Sequence, residues 1–327
     1  MAKGRITQLG LLAAAVLAGA APAPASVTRN LNSCPALLAA DAALRDRYAK
    51  LGSHWLMIDC EPIHYIDEGR GPAVLLIHGS YASARQWDGW AAALSRYKRV
   101  IRFDLPPAGL SGPNPVNDYS TARKIRIIDA LLKHLHVRRV LIVGTSSGGV
   151  PAAAFAAERP DKVTGLILNN VAVGPIKRNR TGITDELKSL LAEDARHPEY
   201  HTPALWGAVL RMNFFAPEQL DPKLAEEWTD LNNRMLQMNG ASGAQVADGD
   251  FGRMLTDLPR IKAPTLFLWS AEDREVSLGE HGQRGLELSG AQNKQLVVIP
   301  RCGHMMPLEC PAEGLVLAIA FIRRVAH

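Results

Sequence analysis

Six short runs of apolar, largely β-branched residues recur along the chain, most of them separated by enough residues for a helix. They are AVLLIH (73–78), RVIRFD (99–104), VLIVG (140–144), GLILNNV (165–171), PTLFLWS (264–270) and LVVIP (296–300). Runs of this length without polar alternation read as strands buried on both faces. Between them, ARKIRIIDALLKHL (122–135) repeats its apolar residues at helical spacing, and GGVPAAAFAAERP (148–160) is rich in alanine and stops at a proline. Strand and helix in alternation specify an α/β fold, a mostly parallel central sheet flanked by helices. HWLMIDCEPIHYIDEG (54–69) has the shorter alternation of a two-stranded antiparallel start to that sheet. With 327 residues and 47% hydrophobic content, the chain can bury such a core in one large domain.

Residues 174–258 break the rhythm: no convincing strand is present, but three helical patterns are. Thr184 opens the first, PALWGAVLRMNFF (203–215) is the second, and Asp221 suits the N-cap of the third ahead of Pro222 at the first helical position. The expected organisation is a core of residues 26–173 and 259–327 interrupted by a helical insertion, 174–258. Residues 1–25 read differently. Lys3 and Arg5 precede about a dozen apolar residues and then Ala23-Pro24-Ala25, the order of a secretory signal peptide cleaved after Ala25. That apolar stretch is shorter than the roughly 18 to 20 residues of a spanning helix, and no other stretch is long and apolar enough, so a secreted or periplasmic protein without a stable membrane span is expected.

Export permits disulfides. The four cysteines allow three pairings, of which proximity favours Cys34 with Cys60 and Cys302 with Cys310; buried free cysteines are the alternative. Their spacings do not match a structural zinc site, so no metal is expected. The net charge of +5, which loses two positive charges with Lys3 and Arg5 and becomes +3, is scattered along the chain. Without a basic block or a recognisable module, nucleic acid is not an expected partner. A small-molecule substrate is.

VLIVGTSSGG (140–149) points to chemistry. A buried strand ends in Gly144-Thr145-Ser146-Ser147-Gly148 and runs into an alanine-rich helix, the Gly-x-Ser-x-Gly context of a nucleophile elbow. The central serine must occupy a strained turn, and side chains two positions either side would collide with the helix or a neighbouring strand, which requires glycine there. The turn also aims the backbone N–H of Ser147 from the start of a helix, where negative charge is favoured. A phosphate-cradling loop is the rival reading, but neither Gly-Lys-Ser/Thr nor Gly-x-Gly-x-x-Gly is present.

A serine hydroxyl attacks at neutral pH when a base takes its proton, so a histidine and a group to orient it are required. Of the ten histidines, His197, His201, His281, His304 and His327 follow Ser146. His304 lies in a glycine-containing loop just after the last strand, the sheet end at which Ser146 also sits, whereas the other four occupy ordinary surface positions. For the acid, Asp273 follows the preceding strand at the same edge, with Glu272 and Glu275 as competitors; the alternative position after LILNN offers the uncharged Asn169 and Asn170.

These segments together resemble the α/β-hydrolase fold superfamily, a large group that includes esterases, carbon–carbon bond hydrolases, haloperoxidase-like enzymes and haloalkane dehalogenases. The likeness spans residues 54–325: IHYIDEGRGPAVLLIHGS, RFDLPPAGLSGP, VGTSSGG, WSAEDREV and CGHMMPLECP follow the family's order and spacing. The resemblance implies that Ser146 is the nucleophile, Asp273 the acid and His304 the base. It also implies that the N–H groups of Ser80 and Ser147 form the oxyanion hole, with His78 structural, and that the insertion is a cap over the site. Trp87, Trp206, Phe214, Phe215 and Met305 are candidates to line a substrate pocket and equally to form packing cores. One departure is Pro107, where relatives often carry glycine. No cofactor is implied. A serine at the elbow opposes dehalogenase and epoxide hydrolase chemistry, which in this fold relies on an aspartate there. The expected activity is that of an exported serine hydrolase acting on a carboxylic ester of a small or medium apolar substrate. Carbon–carbon cleavage of a diketone by the same groups is the first alternative, and a catalytically silent binding protein the second.

Overall fold

A computed structural model describes residues 41–176, 183–239 and 250–325. The expected leader, residues 1–25, and Cys34 with its expected pairing to Cys60 lie outside the described residues. Eight strands among the described residues form one sheet: β1 (Ser53–Ile58), β2 (Glu61–Gly69), β3 (Ala73–Ile77), β4 (Arg99–Phe103), β5 (Val140–Thr145), β6 (Val163–Asn169), β7 (Thr265–Ser270) and β8 (Lys294–Ile299). Their order is β1-β2-β4-β3-β5-β6-β7-β8. The β1–β2 and β2–β4 pairs are antiparallel and the rest parallel, so the hairpin at 54–69 starts a sheet that then winds in parallel.

Alternate residues of each strand enter separate apolar layers. Leu75, Ile77, Ile142, Leu166, Leu168 and Phe267 pack on one face with α3 (Thr121–His134) and α4 (Gly149–Glu158). Val74, Leu76, Val143, Ile167, Leu266 and Leu268 pack on the other with α2 (Asp88–Leu94), α8 (Met306–Glu309) and α9 (Pro311–Val325). Helix α3 starts where Ser120 accepts the Arg123 N–H and turns Ile125, Ile128, Leu131 and Leu132 inward. Helix α4 is buried from Gly149 to Ala157 and ends ahead of Pro160, because the residue before a proline is pushed out of helical geometry. Strand β6 stops at Asn169, two residues short of the expected Val171, because Asn170 takes a left-handed conformation (φ 46°) and turns the chain.

The helical cap lies between β6 and β7. It contains α5 (Asp185–Asp194), capped by Thr184 accepting the Leu187 N–H; α6 (Pro203–Met212); and α7 (Pro222–Asn239), at whose start Asp221 Oδ1 accepts the Lys223 N–H. Their apolar faces close a third cluster of Leu187, Leu205, Trp206, Leu210, Phe214 and Trp228, which Ala82 and Met305 of the main domain join. Helix α7 is anchored by Arg234, 3% exposed, whose guanidinium donates to the carbonyls of Gly109, Ser111 and Gly112 and pairs with Asp41 at 2.7 Å. The first described helix, α1 (Ala42–Tyr48), adds Arg47 and Tyr48, both bonded to Asp230. Among the described residues no helix is long and apolar enough to cross a membrane.

Candidate active site

Ser146 stands on the turn between β5 and α4 at φ 48°, a conformation that costs an ordinary residue on the order of 1–3 kcal/mol. The two glycines that frame it are sterically required. A Cβ on Gly144 would lie 2.6 Å from the Gly148 carbonyl oxygen and 2.7 Å from the Gly149 Cα, at the start of the helix. One on Gly148 would lie 2.2 Å from the His78 oxygen and 2.6 Å from the Ile77 oxygen, at the end of β3. Strand, turn and helix therefore approach as closely as backbone permits, which leaves the serine hydroxyl projecting above the sheet.

Three further strand ends meet it. His304, in the loop after β8, places Nε2 3.1 Å from Ser146 Oγ and Nδ1 2.7 Å from Asp273 Oδ2, in the loop after β7. Asp273 is fixed from its other oxygen, since Oδ1 accepts the N–H groups of Glu275 and Val276 at 2.9 and 2.7 Å. Burial by itself opposes protonation of His304. The charges of Asp273 and Glu275, with the hydrogen bond to Asp273, outweigh it and raise the imidazole from 6.5 to about 9. Glu275 Oε2 lies 3.7 Å from His304 Nε2, and no such contact involves Glu272.

The other wall of the site is the loop after β3. Ser80 Oγ donates to Ser147 Oγ at 2.9 Å, which holds the two segments carrying the expected oxyanion amides side by side. Gln86 Oε1 accepts the Gly79 N–H at 3.0 Å. His78 is fully enclosed: Nε2 accepts the Leu105 N–H and Nδ1 donates to the Gly79 carbonyl, and burial lowers its pKa. Beneath this loop Asp104 accepts the N–H groups of Ala84 and Leu110 and faces His64 at 2.7 Å; burial opposes its charge, but His64, His78 and the Ala84 N–H prevail and hold it at about 2. The segment departing at Pro107 is thus braced from Asp104 on one side and Arg234 on the other, and its Pro106–Pro107 peptide is cis.

The expected pocket residues separate. Trp87 has no exposed surface and packs with Trp90 at 5.2 Å in the layer beneath α2, so it is core and presents nothing to a substrate. Trp206, 1% exposed and stacked among Tyr81, His201 and Trp228, belongs to the cap's own core. Phe215 lies beneath the Arg301 guanidinium and lines a groove of about 690 Å³ with Ala216, Glu309 and Leu317, a lining that does not include Ser146 or His304. Phe214 and Met305 bridge cap and core in the third cluster at 4% and 8% exposure, Met305 directly following His304. His281, expected at the surface, is buried and accepts the Val173 N–H.

Several positioning groups escape a reading by motif. Asn170 donates to the His304 carbonyl at 3.1 Å and to Ser270 at 2.9 Å, and accepts the Ser270 N–H, so it ties β6, β7 and the histidine loop together. Two asparagines ending an apolar strand were its signal, since polar groups in a buried strand need partners. Cys302 and Cys310 are bonded to each other across the histidine loop, as proximity suggested. With Glu309 they are the described residues grouped closely enough to hold a metal ion, but the disulfide engages both sulfurs.

Comparison with known proteins places this geometry among relatives. A family model described as the alpha/beta hydrolase family matches residues 74–318. The chain is 29% identical over 236 residues to haloalkane dehalogenase 2 of Mycobacterium bovis, covering 68% of this chain and 78% of the relative. It is 27% identical over 275 residues to the 2-hydroxy-6-oxononadienedioate/2-hydroxy-6-oxononatrienedioate hydrolase of Burkholderia vietnamiensis, covering 80% and 91%. The crystal structure of a membrane phospholipase A, a bacterial virulence factor, superposes with a TM-score of 0.67 at 24% identity, covering 90% of this chain and 93% of that one.

Proposed function

The chain belongs to the alpha/beta hydrolase family, and from that premise we propose an exported serine hydrolase that cleaves a carboxylic ester of a small or medium apolar substrate through an acyl-enzyme. The observation that carries this reading is the unbroken series Asp273 Oδ2, His304 Nδ1, His304 Nε2, Ser146 Oγ, with contacts of 2.7 and 3.1 Å. His304 takes the Ser146 proton as Oγ attacks the ester carbonyl, and the N–H groups of Ser80 and Ser147 stabilise the oxyanion. The imidazolium, held in orientation by Asp273, gives its proton to the departing alcohol. Water, activated in turn by His304, then releases the acid. Residues 174–258 cap the site and limit the length of acyl chain it admits. The position that a dehalogenase of this fold fills with aspartate is Ser146, so halide displacement is not proposed.

The name of the Burkholderia relative favours a second reading, carbon–carbon bond cleavage of a diketone by the same groups. A fluorophosphonate should label the wild-type protein at Ser146, and Ser146→Ala should abolish labelling without unfolding. Labelling that survives would sink the nucleophile assignment. A panel of chromogenic esters of increasing chain length, run beside a diketone, separates the two reactions. Export rests on the order of residues 1–25; N-terminal sequencing of the mature protein should begin at Ser26.

A further inference from the structure

The turn that fixes the acid also fixes a second carboxylate on the opposite side of the imidazole. Asp273 Oδ1 accepts the Glu275 N–H, so the backbone at Glu275 is set by the same loop. Asp273 has a fully buried side chain and is engaged at Nδ1, whereas Glu275 is 43% exposed and its Oε2 lies 3.7 Å from Nε2. Nε2 is the nitrogen that also faces Ser146 Oγ. Among the described residues Glu275 is paired with no lysine or arginine, so the imidazole is its sole charged neighbour within ion-pair distance.

Resting on the ester reading above and confining its apolar requirement to the acyl half, we propose that Glu275 is a specificity-determining residue: it makes the leaving-group side of the site anionic, favouring esters whose alcohol carries a cationic ammonium group and disfavouring those whose alcohol is anionic. To be protonated, the leaving oxygen must approach within about 3 Å of His304 Nε2. Substituents one or two carbons beyond that oxygen then fall within a few ångströms of the Glu275 carboxylate. In a partly desolvated site that carboxylate acts on a fixed charge more strongly than it would in water. The acyl half lies on the far side of the carbonyl and feels it less.

A matched pair of substrates isolates the effect. Choline butyrate and 3,3-dimethylbutyl butyrate share an acyl group and a shape and differ by the replacement of a quaternary nitrogen by carbon. The ratio of their kcat/KM values should fall about three- to tenfold from wild type to Glu275→Gln, and Glu275→Asp should restore part of it. Because a loosened loop or an altered imidazole changes both esters alike, an unchanged ratio overturns the proposal. If wild type hydrolyses neither ester, Glu275 is tested without turnover, and the ester reading itself fails only if the chromogenic panel is inert as well. In Ser146→Ala, the His304 imidazole ¹⁵N resonances should respond to choline at about three- to tenfold lower concentration than to 3,3-dimethylbutan-1-ol, and Glu275→Gln on that background should remove the difference. Equal responses to both alcohols overturn the proposal on that route too.

Discussion

Replacing Gly148 with alanine tests whether the close approach of turn, helix and strand is what builds the site. Gly148 has φ −66° and ψ −19°, so the backbone would accept alanine, and removal of unfolded-chain freedom would by itself stabilise by about 0.4–1 kcal/mol. The obstacle is packing. The new Cβ would lie 2.2 Å from the His78 oxygen and 2.6 Å from the Ile77 oxygen, against an ordinary contact of 3.4–4 Å, so backbone must part by about 1 Å or more. Overpacking of this kind costs about 1–3 kcal/mol, or a few degrees in Tm for a chain of this size. The segment that has to move leads directly into Gly79 and Ser80, so the proposed oxyanion donor leaves its place, and a misplacement of about 1 Å costs on the order of 10²-fold in kcat/KM. Initial rates on a chromogenic ester and thermal unfolding followed by circular dichroism measure both. Gly279→Ala is the control: a Cβ there meets nothing within 4 Å, and rate and Tm should stay at wild type. Gly148→Ala with wild-type kcat/KM and an unchanged Tm would refute the reasoning.

Asp273→Asn should lower kcat by about 10⁴-fold with little change in Tm, while Glu272→Gln should leave kcat within a few-fold of wild type; the reverse pattern in ester assays would move the acid to Glu272. Because the proposed base must be neutral and Asp273 and Glu275 raise the His304 imidazole to about 9, kcat/KM should rise as pH increases through about 9, and Glu275→Gln should shift that midpoint downward. The same shift makes His304 a source of stability that is fully present below 6.5 and is lost as pH rises through about 9, so Tm should fall on the alkaline side as activity grows. Trp206→Ala should destabilise by about 3–5 kcal/mol in denaturant titrations while leaving the ratio of rates on short and long esters unchanged, since the indole fills the cap's core; an altered ratio at unchanged stability would place it in the pocket.

What could be read from residues alone follows a physical division. The parallel strands were legible because burial on both faces excludes polar alternation, and β5, buried at all six positions, shows this most plainly. The groups now found together at the sheet's end were legible because each follows a strand end, and because Gly144 and Gly148 answer to sterics that no other residue satisfies. Sequence neighbourhood is a poorer guide to which way a side chain faces. Trp87 follows the loop of Gly79 and Ser80 closely in sequence, yet it turns beneath α2. Phe214 and Phe215 are adjacent at the end of α6, but one enters the cap's cluster and the other an outer groove. Arg234 left no local signal at all, since its partners Gly109, Ser111 and Asp41 lie more than a hundred residues away in the chain.

These long-range ties hold His304, the proposed base, from two sides. Gly303 and Met305 flank His304, and both are bonded toward the cap: the Met305 N–H reaches the Asn213 carbonyl, and Glu309 accepts the Gly303 N–H with one oxygen and the Ala216 N–H with the other. Asn170 holds the His304 carbonyl from the sheet, and the Cys302–Cys310 bond closes the loop beneath it. On the opposite flank Arg234 ties α7 to the loop of Gly109 and Ser111, where separating a buried charge from its partners costs about 3–5 kcal/mol. A cap that lifted as one rigid lid would break both attachments and move His304 away from Ser146. Movement that preserves the 3.1 Å contact must therefore leave residues 213–216 and Arg234 in place and fall elsewhere in the cap, where α5 is the least buried of the three helices α5, α6 and α7.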